Sequence, residues 1–152
     1  MNKFFFLGPV ILKNQNNSFK IPRRQVRALL YRLGVRLEKV PRDSVANMFW
    51  SDQPDVKARR NLSHLIAHLN RALPDPELLQ NSRDYLQIDR NKIWTDTEEF
   101  LQLSNFPENH PDIDALSRAV DLYRSPLLSG FSLPESSQFE EWVSFERQYF
   151  EL

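Results

Sequence analysis

The 152-residue chain contains no cysteine, which excludes disulfides, thiolate metal sites and cysteine nucleophiles and fits a reducing cytoplasm. Its three glycines, Gly8, Gly34 and Gly130, are too few and too scattered to build a glycine-rich phosphate cradle. No run approaches the roughly 20 apolar residues that a membrane span needs. The segment Phe4 to Leu12 follows Lys3 and superficially matches an export signal. It is short, is interrupted by Gly8 and Pro9, and has no small-residue cleavage site after it, so a buried first strand is the better reading. The sequence therefore predicts a soluble cytoplasmic protein with no membrane partner, no cofactor and no metal.

Net charge is absent only in total. Residues 1–95 hold 17 Lys/Arg against 8 Asp/Glu, and residues 96–152 hold 3 against 12. A basic half of this kind suits a polyanion such as nucleic acid, and an acidic half suits a different surface or partner. The break suggests a domain over 1–95 and a second unit over 96–152. Hydrophobic content of 41% is enough for a packed core and argues against general disorder.

After the first strand, Asn14 to Asn17 form a turn cluster and Ser18 to Ile21 a short strand. A helix is predicted from Arg23 to about Leu37, with Val26, Leu29, Leu30, Leu33 and Leu37 on one stripe. Arg23, Arg24, Arg27, Arg32 and Arg36 lie largely off it. A second helix is predicted from near Pro41 to Trp50, with Asp43 or Ser44 as cap. The third, about Asp55 to Leu73, has the clearest period: Leu62, Leu65, Ile66, Leu69 and Leu73 share one stripe. At about 100° per residue, Lys57, Arg60, His64, Ala67, His68 and Arg71 fall on the opposite face. Leu78 to Gln80 and Tyr85 to Ile88 then read as a hairpin with Arg83 at its tip.

Beyond Thr95, where Thr95 or Asp96 caps a helix, the pattern is helical throughout. A proline-broken loop spans Phe106 to Pro111. A helix over Asp112 to Tyr123 is predicted to bury Ile113, Leu116, Val120 and Tyr123. A last helix from about Ser137 carries Phe139, Trp142, Val143, Tyr149 and Phe150 on one side, an aromatic stripe large enough to predict an interaction surface through Phe139, Trp142, Tyr149 and Phe150.

Strands, three helices and a closing hairpin on a basic body describe an α+β winged helix-turn-helix domain, in which the third helix enters the major groove and the hairpin 78–89 is the wing. Major-groove readout needs donors on the outward helix face, so Arg60, His64, Ala67, His68 and Arg71 are candidates for base contact. Arg24, Arg42, Lys57 and Arg83 are candidates for phosphate contact.

Several stretches in this order are also similar to a known family: FLGPV, RRQVRALLYRL, VPRDSVANMFWSD, ARRNLSHLIAHLNRAL, LLQNSRDYLQID, AVDLYRSPLLSGF and FEEWVSFERQYFEL. Together they resemble transcriptional activators of the Streptomyces antibiotic regulatory protein type. The resemblance implies a response-regulator-like winged helix over 1–95. It also implies that 96–152 are the first helices of an all-α, tetratricopeptide-like bacterial transcriptional activator domain, incomplete here. Two departures stand out: Asn70 occupies a position where the family usually has Arg, and the wing turn Asn81-Ser82-Arg83-Asp84 lacks the glycines common there.

The leading expectation is a sequence-specific transcription regulator, an activator, with double-stranded DNA as partner. RNA polymerase and a second copy on repeated half-sites are further candidate partners. The rival is a protein interaction module that uses the same scaffold and the acidic helices. An enzyme is not expected, because no activated nucleophile or paired acid and base accompanies Glu140, Glu141 and Glu146. His64 and His68 are four residues apart, but Leu65 stands where a metalloprotease pattern needs Glu, so a metal site is not expected either.

Overall fold

The computed structural model describes residues 1–105 and 112–151. The loop expected over Phe106 to Pro111 lies outside the described residues. The apolar start of the chain is two strands, where the sequence suggested one. β1 (Asn2–Phe5) and β2 (Ile11–Asn14) pair antiparallel with Phe4 opposite Leu12. Gly8, at φ 129°, makes the reversal, a conformation that a side chain would strain. β3 (Asn17–Phe19) returns along β2, and β7 (Ile93–Thr95) lies parallel to β1 on its other side, giving the order β3-β2-β1-β7.

Helix α1 spans Arg24–Gly34, so it stops three residues short of the Leu37 expected from periodicity. Leu37 sits in the left-handed region at φ 51°, where its carbonyl accepts from Arg90 Nη2 at 3.0 Å. That conformation takes the chain out of the helix and into β4 (Val40–Pro41). Gly34 closes α1 against the buried Phe6 ring, where a Cβ would come within 2.8 Å of Cζ. α2 (Arg42–Phe49) starts directly after Pro41 with no side-chain cap. Asp43, one of the expected caps, instead accepts from Arg59 Nε of the next helix at 3.3 Å.

α3 (Asp55–Ala72) buries Ala58, Leu62, Leu65, Ile66 and Leu69, the stripe that the period indicated. The hairpin follows as β5 (Leu79–Asn81) and β6 (Tyr85–Ile88), with β4 added on the far edge of β6. Together, α2, the turn at Ser51 to Pro54, α3 and the hairpin form a helix-turn-helix with a wing.

The remaining residues contribute α4 (Asp96–Ser104), α5 (Ile113–Leu122) and α6 (Ser137–Tyr149), capped by the side chains of Thr95, Asp112 and Ser136. They are packed onto the winged helix. Asp96 is fully buried and accepts from Phe6 N at 2.7 Å and Leu7 N at 2.9 Å, so the first turn of α4 is fastened to the end of β1. Leu128 N donates to Phe6 O at 2.8 Å, and Arg147 donates to the carbonyls of Leu127 and Leu128, clamping the loop in which Leu128 adopts φ 53°. One hydrophobic core runs through both halves of the chain, from Phe4, Leu29 and Leu62 to Leu127, Phe139 and Phe150.

Two expectations about these helices are reversed. Phe139 and Phe150, assigned above to an interaction surface, are both 0% exposed. Phe139 stacks on Phe49 at 5.8 Å between ring centroids, and Phe150 packs on Phe100 at 5.9 Å, so the winged helix and α4 provide the cover that α6 needs. Only Tyr149, at 56%, and Phe145, at 64%, stand out from this helix as exposed aromatics, with Trp142 half-buried. In α5 the apolar residues of the expected stripe point outward: Ile113 is 77% exposed, Leu116 44% and Val120 48%, while Ala115 and Ala119 are buried and Leu122 packs partly on the core. Small side chains let α5 lie close on α4, and the larger ones are left facing solvent.

Candidate nucleic-acid interface

Burial of the leucine stripe determines what α3 presents. Lys57, Arg60, His64, Ala67 and Arg71 are exposed and His68 is half-buried, all on the face opposite the core. Lys57, Arg60 and Arg71 form no ion pair among the described residues. Asn70, at the departure from the family pattern, is half-buried with its Oδ1 unpartnered and is not part of this face.

The expected phosphate contacts divide into two kinds. Arg24, the first residue of α1, and Arg83, in the wing turn, are exposed and unpaired among the described residues. Arg42, the first residue of α2, is half-buried and tied to the wing: its backbone N–H donates to Asp84 O at 3.0 Å and its guanidinium to Asn81 Oδ1. A wing lacking glycine is thus held by the start of α2, which fixes Arg83 relative to the helix-turn-helix.

His68 does not stand alone. Its Nε2 lies 2.8 Å from Arg23 Nη1 and its Nδ1 lies 2.9 Å from Arg71 Nη2. Arg23, the residue before α1, is not among the contacts expected from sequence, because nothing in the local pattern links positions 45 residues apart. Partial burial, and then the charges of Arg23, Arg71 and His64, push the His68 imidazole below its ordinary value.

Much of the remaining basic charge of α1 is directed into the molecule. Arg27 lies over the Phe131 ring at 5.6 Å, Arg32 over Trp142 at 5.2 Å and Arg36 over Tyr149 at 4.2 Å. Arg36 also grips Glu146 through Nε at 2.8 Å and Nη2 at 3.3 Å. The arginine-rich helix therefore has two faces: Arg23 and Arg24 at its start face solvent, and Arg27, Arg32 and Arg36 hold the acidic half of the chain. The charge split read from sequence is in part an internal attachment.

Among the described residues no three His, Asp or Glu side chains are grouped as a metal would require, and no helix is long and apolar enough to cross a membrane. No family profile and no curated protein matches the sequence. The structure is similar to Mycobacterium tuberculosis EmbR, solved in complex with a low affinity phosphopeptide, with a TM-score of 0.67 and 20% sequence identity. The match covers 98% of this chain and 42% of that chain, so the present chain spans about two fifths of the length of EmbR. The likeness extends through both the winged helix and the helices that follow, and it establishes a shared fold.

Proposed function

We propose that the chain is the DNA-binding part of a transcription regulator, with α3 in the major groove and the β5–β6 hairpin beside the neighbouring backbone. The observation that carries this reading is the outward face of α3: five cationic or imidazole side chains with no carboxylate pairing them among the described residues, flanked by arginines at the start of α1 and the tip of the wing that are likewise unpaired there. A solvated helix usually balances such charge with acids on its own surface. Arg60, His64 and Ala67 are the side chains proposed to meet base edges, and Arg24, Lys57 and Arg83 to meet phosphates. Arg42 contributes by holding the wing.

The resemblance to antibiotic regulatory activators extends the proposal. Residues 1–95 would form the winged-helix unit, and 96–152 the start of a tetratricopeptide-like activator domain acting in the cytoplasm. RNA polymerase would be the protein partner, with two copies on repeated half-sites. Neither catalysis nor a cofactor is part of the proposal.

A second reading, protein docking, is favoured by one observation, the exposed Ile113, Leu116 and Val120 on α5, and EmbR was itself solved with a phosphopeptide. Selection of bound duplexes from a random pool separates the two. Recovery of short repeated sites about one helical turn apart supports the DNA reading, and absence of binding even at low salt favours docking.

A further inference from the structure

The contacts around His68 contain an unmet requirement. Guanidinium nitrogens only donate hydrogen bonds. A neutral imidazole has one acceptor nitrogen, and an imidazolium has none. Arg23 Nη1 and Arg71 Nη2 nevertheless approach the two ring nitrogens at 2.8 and 2.9 Å, so at most one of the two contacts is a hydrogen bond and the other sets donor against donor. The groups facing the ring are Arg23 from the start of α1 and Arg71 and His64 from α3, two guanidinium groups and a second imidazole, with no acid among them. No carboxylate pairs with Arg23 or Arg71 among the described residues. The group lies beside an open cleft of about 340 Å³ that Arg23, Gln25, Asn61 and His64 help to line.

We infer that Arg23, His68 and Arg71 form a single site for a backbone phosphodiester of DNA, and that His68 takes up a proton when the phosphate enters. The inference rests on the DNA-binding reading above and changes the parts within it: His68 and Arg71, expected from sequence among the base-reading residues, become phosphate ligands, and Arg23 joins them. A phosphodiester carries one negative charge shared by two non-bridging oxygens, whose lone pairs are enough acceptors for both guanidinium groups and for a protonated ring nitrogen. Without it the two arginines oppose a third positive charge on the ring. With it the ring proton is stabilised by the anion, and proton uptake is linked to binding. The position of the site also has a consequence for register, since one phosphate would be held jointly by the C-terminal half of α3 and the start of α1.

The test is the pH dependence of binding to one duplex, together with titration of the histidine ring resonances in the free and bound protein. With a selected or random duplex, Kd should fall as pH falls from about 8 to 6, approaching tenfold per unit where a single proton is taken up. The His68 resonances should titrate at least about one unit higher in the complex. His68→Gln should flatten the profile, with its greater loss of affinity at the acid end. Arg23→Ala and Arg71→Ala should each lower affinity by the same factor on selected and random duplexes. DNA binding with a pH profile that His68→Gln leaves unchanged, or an unaltered His68 titration in the complex, overturns the site and leaves the DNA-binding reading standing. Absence of binding to any duplex at low salt overturns both.

Discussion

Arg36 and Glu146, 110 residues apart, form a two-point contact in which Nε and Nη2 of the guanidinium meet both carboxylate oxygens, the first at 2.8 Å. Glu146 is almost fully buried on α6, and the Arg36 guanidinium lies over the Tyr149 and Phe150 rings. Charge, hydrogen bonding and aromatic packing are thus concentrated on one arginine that joins the winged helix to the last helix. Removing the acid would leave a partly buried guanidinium without its partner. Glu146→Ala should cost about 1 to 3 kcal/mol of stability, below the value for a fully buried pair because Arg36 keeps some access to water. Urea unfolding gives the number, and Glu146→Asp should lose part of the same contact because its shorter arm reaches only one nitrogen.

Gly34 packs directly against the Phe6 ring. Phe6 is fully buried, and an added methyl at position 34 would meet its edge at 2.8 and 3.1 Å. Gly34→Ala would ordinarily stabilise a helix by about 1 kcal/mol through its propensity. Here overpacking opposes it at about 1 to 3 kcal/mol, so the midpoint of thermal unfolding should fall or at best stay level. A higher midpoint would mean that Phe6 is free to shift.

Asp96 joins α4 to the end of β1 through two amides, one for each carboxylate oxygen. Burial raises its pKa above the ordinary carboxylate value, and the bonds from Phe6 and Leu7 and the charge of Arg124 only partly offset this. The folded state therefore holds the Asp96 proton more tightly than the unfolded chain, and the contribution of this group to stability is greatest below its ordinary pKa and declines as pH rises through the folded value. An asparagine offers only one acceptor oxygen and turns its NH₂ toward the other amide. Asp96→Asn should cost about 1 to 3 kcal/mol, and the gap between wild type and variant should narrow as pH rises across that window. A gap that widens with pH would show that the hydrogen bonds outweigh burial.

The sequence reveals elements whose determinants are local. The α3 stripe follows from period alone, and Thr95 caps α4 through the residue three positions on. The outward residues of α3 follow from the same period, because a helix that buries one face exposes the other. What sequence hides is contact between distant segments. Periodicity aligns Ile113, Leu116 and Val120 on one side of α5 without saying that Ala115 and Ala119 are the side that packs. The arginines of α1 look like one basic surface until Phe131, Trp142 and Glu146 are brought beneath them from the other half of the chain. The pairing of Arg23 with His68 is hidden for the same reason, since both residues are ordinary in their own local context.

The central claim is that the outward face of α3 reads base sequence, and Arg60 tests it most directly because it is exposed and makes no ion pair among the described residues. The measurement is the ratio of affinities for a selected duplex and a random one, at fixed salt, for wild type and Arg60→Ala. A guanidinium donating to a guanine edge carries about 1 to 3 kcal/mol of discrimination, whereas a phosphate contact carries none. The ratio should therefore drop by about 5- to 150-fold in the variant while its unfolding midpoint stays unchanged. An unaltered ratio, with both affinities lowered equally, would contradict the claim and make Arg60 a backbone contact only.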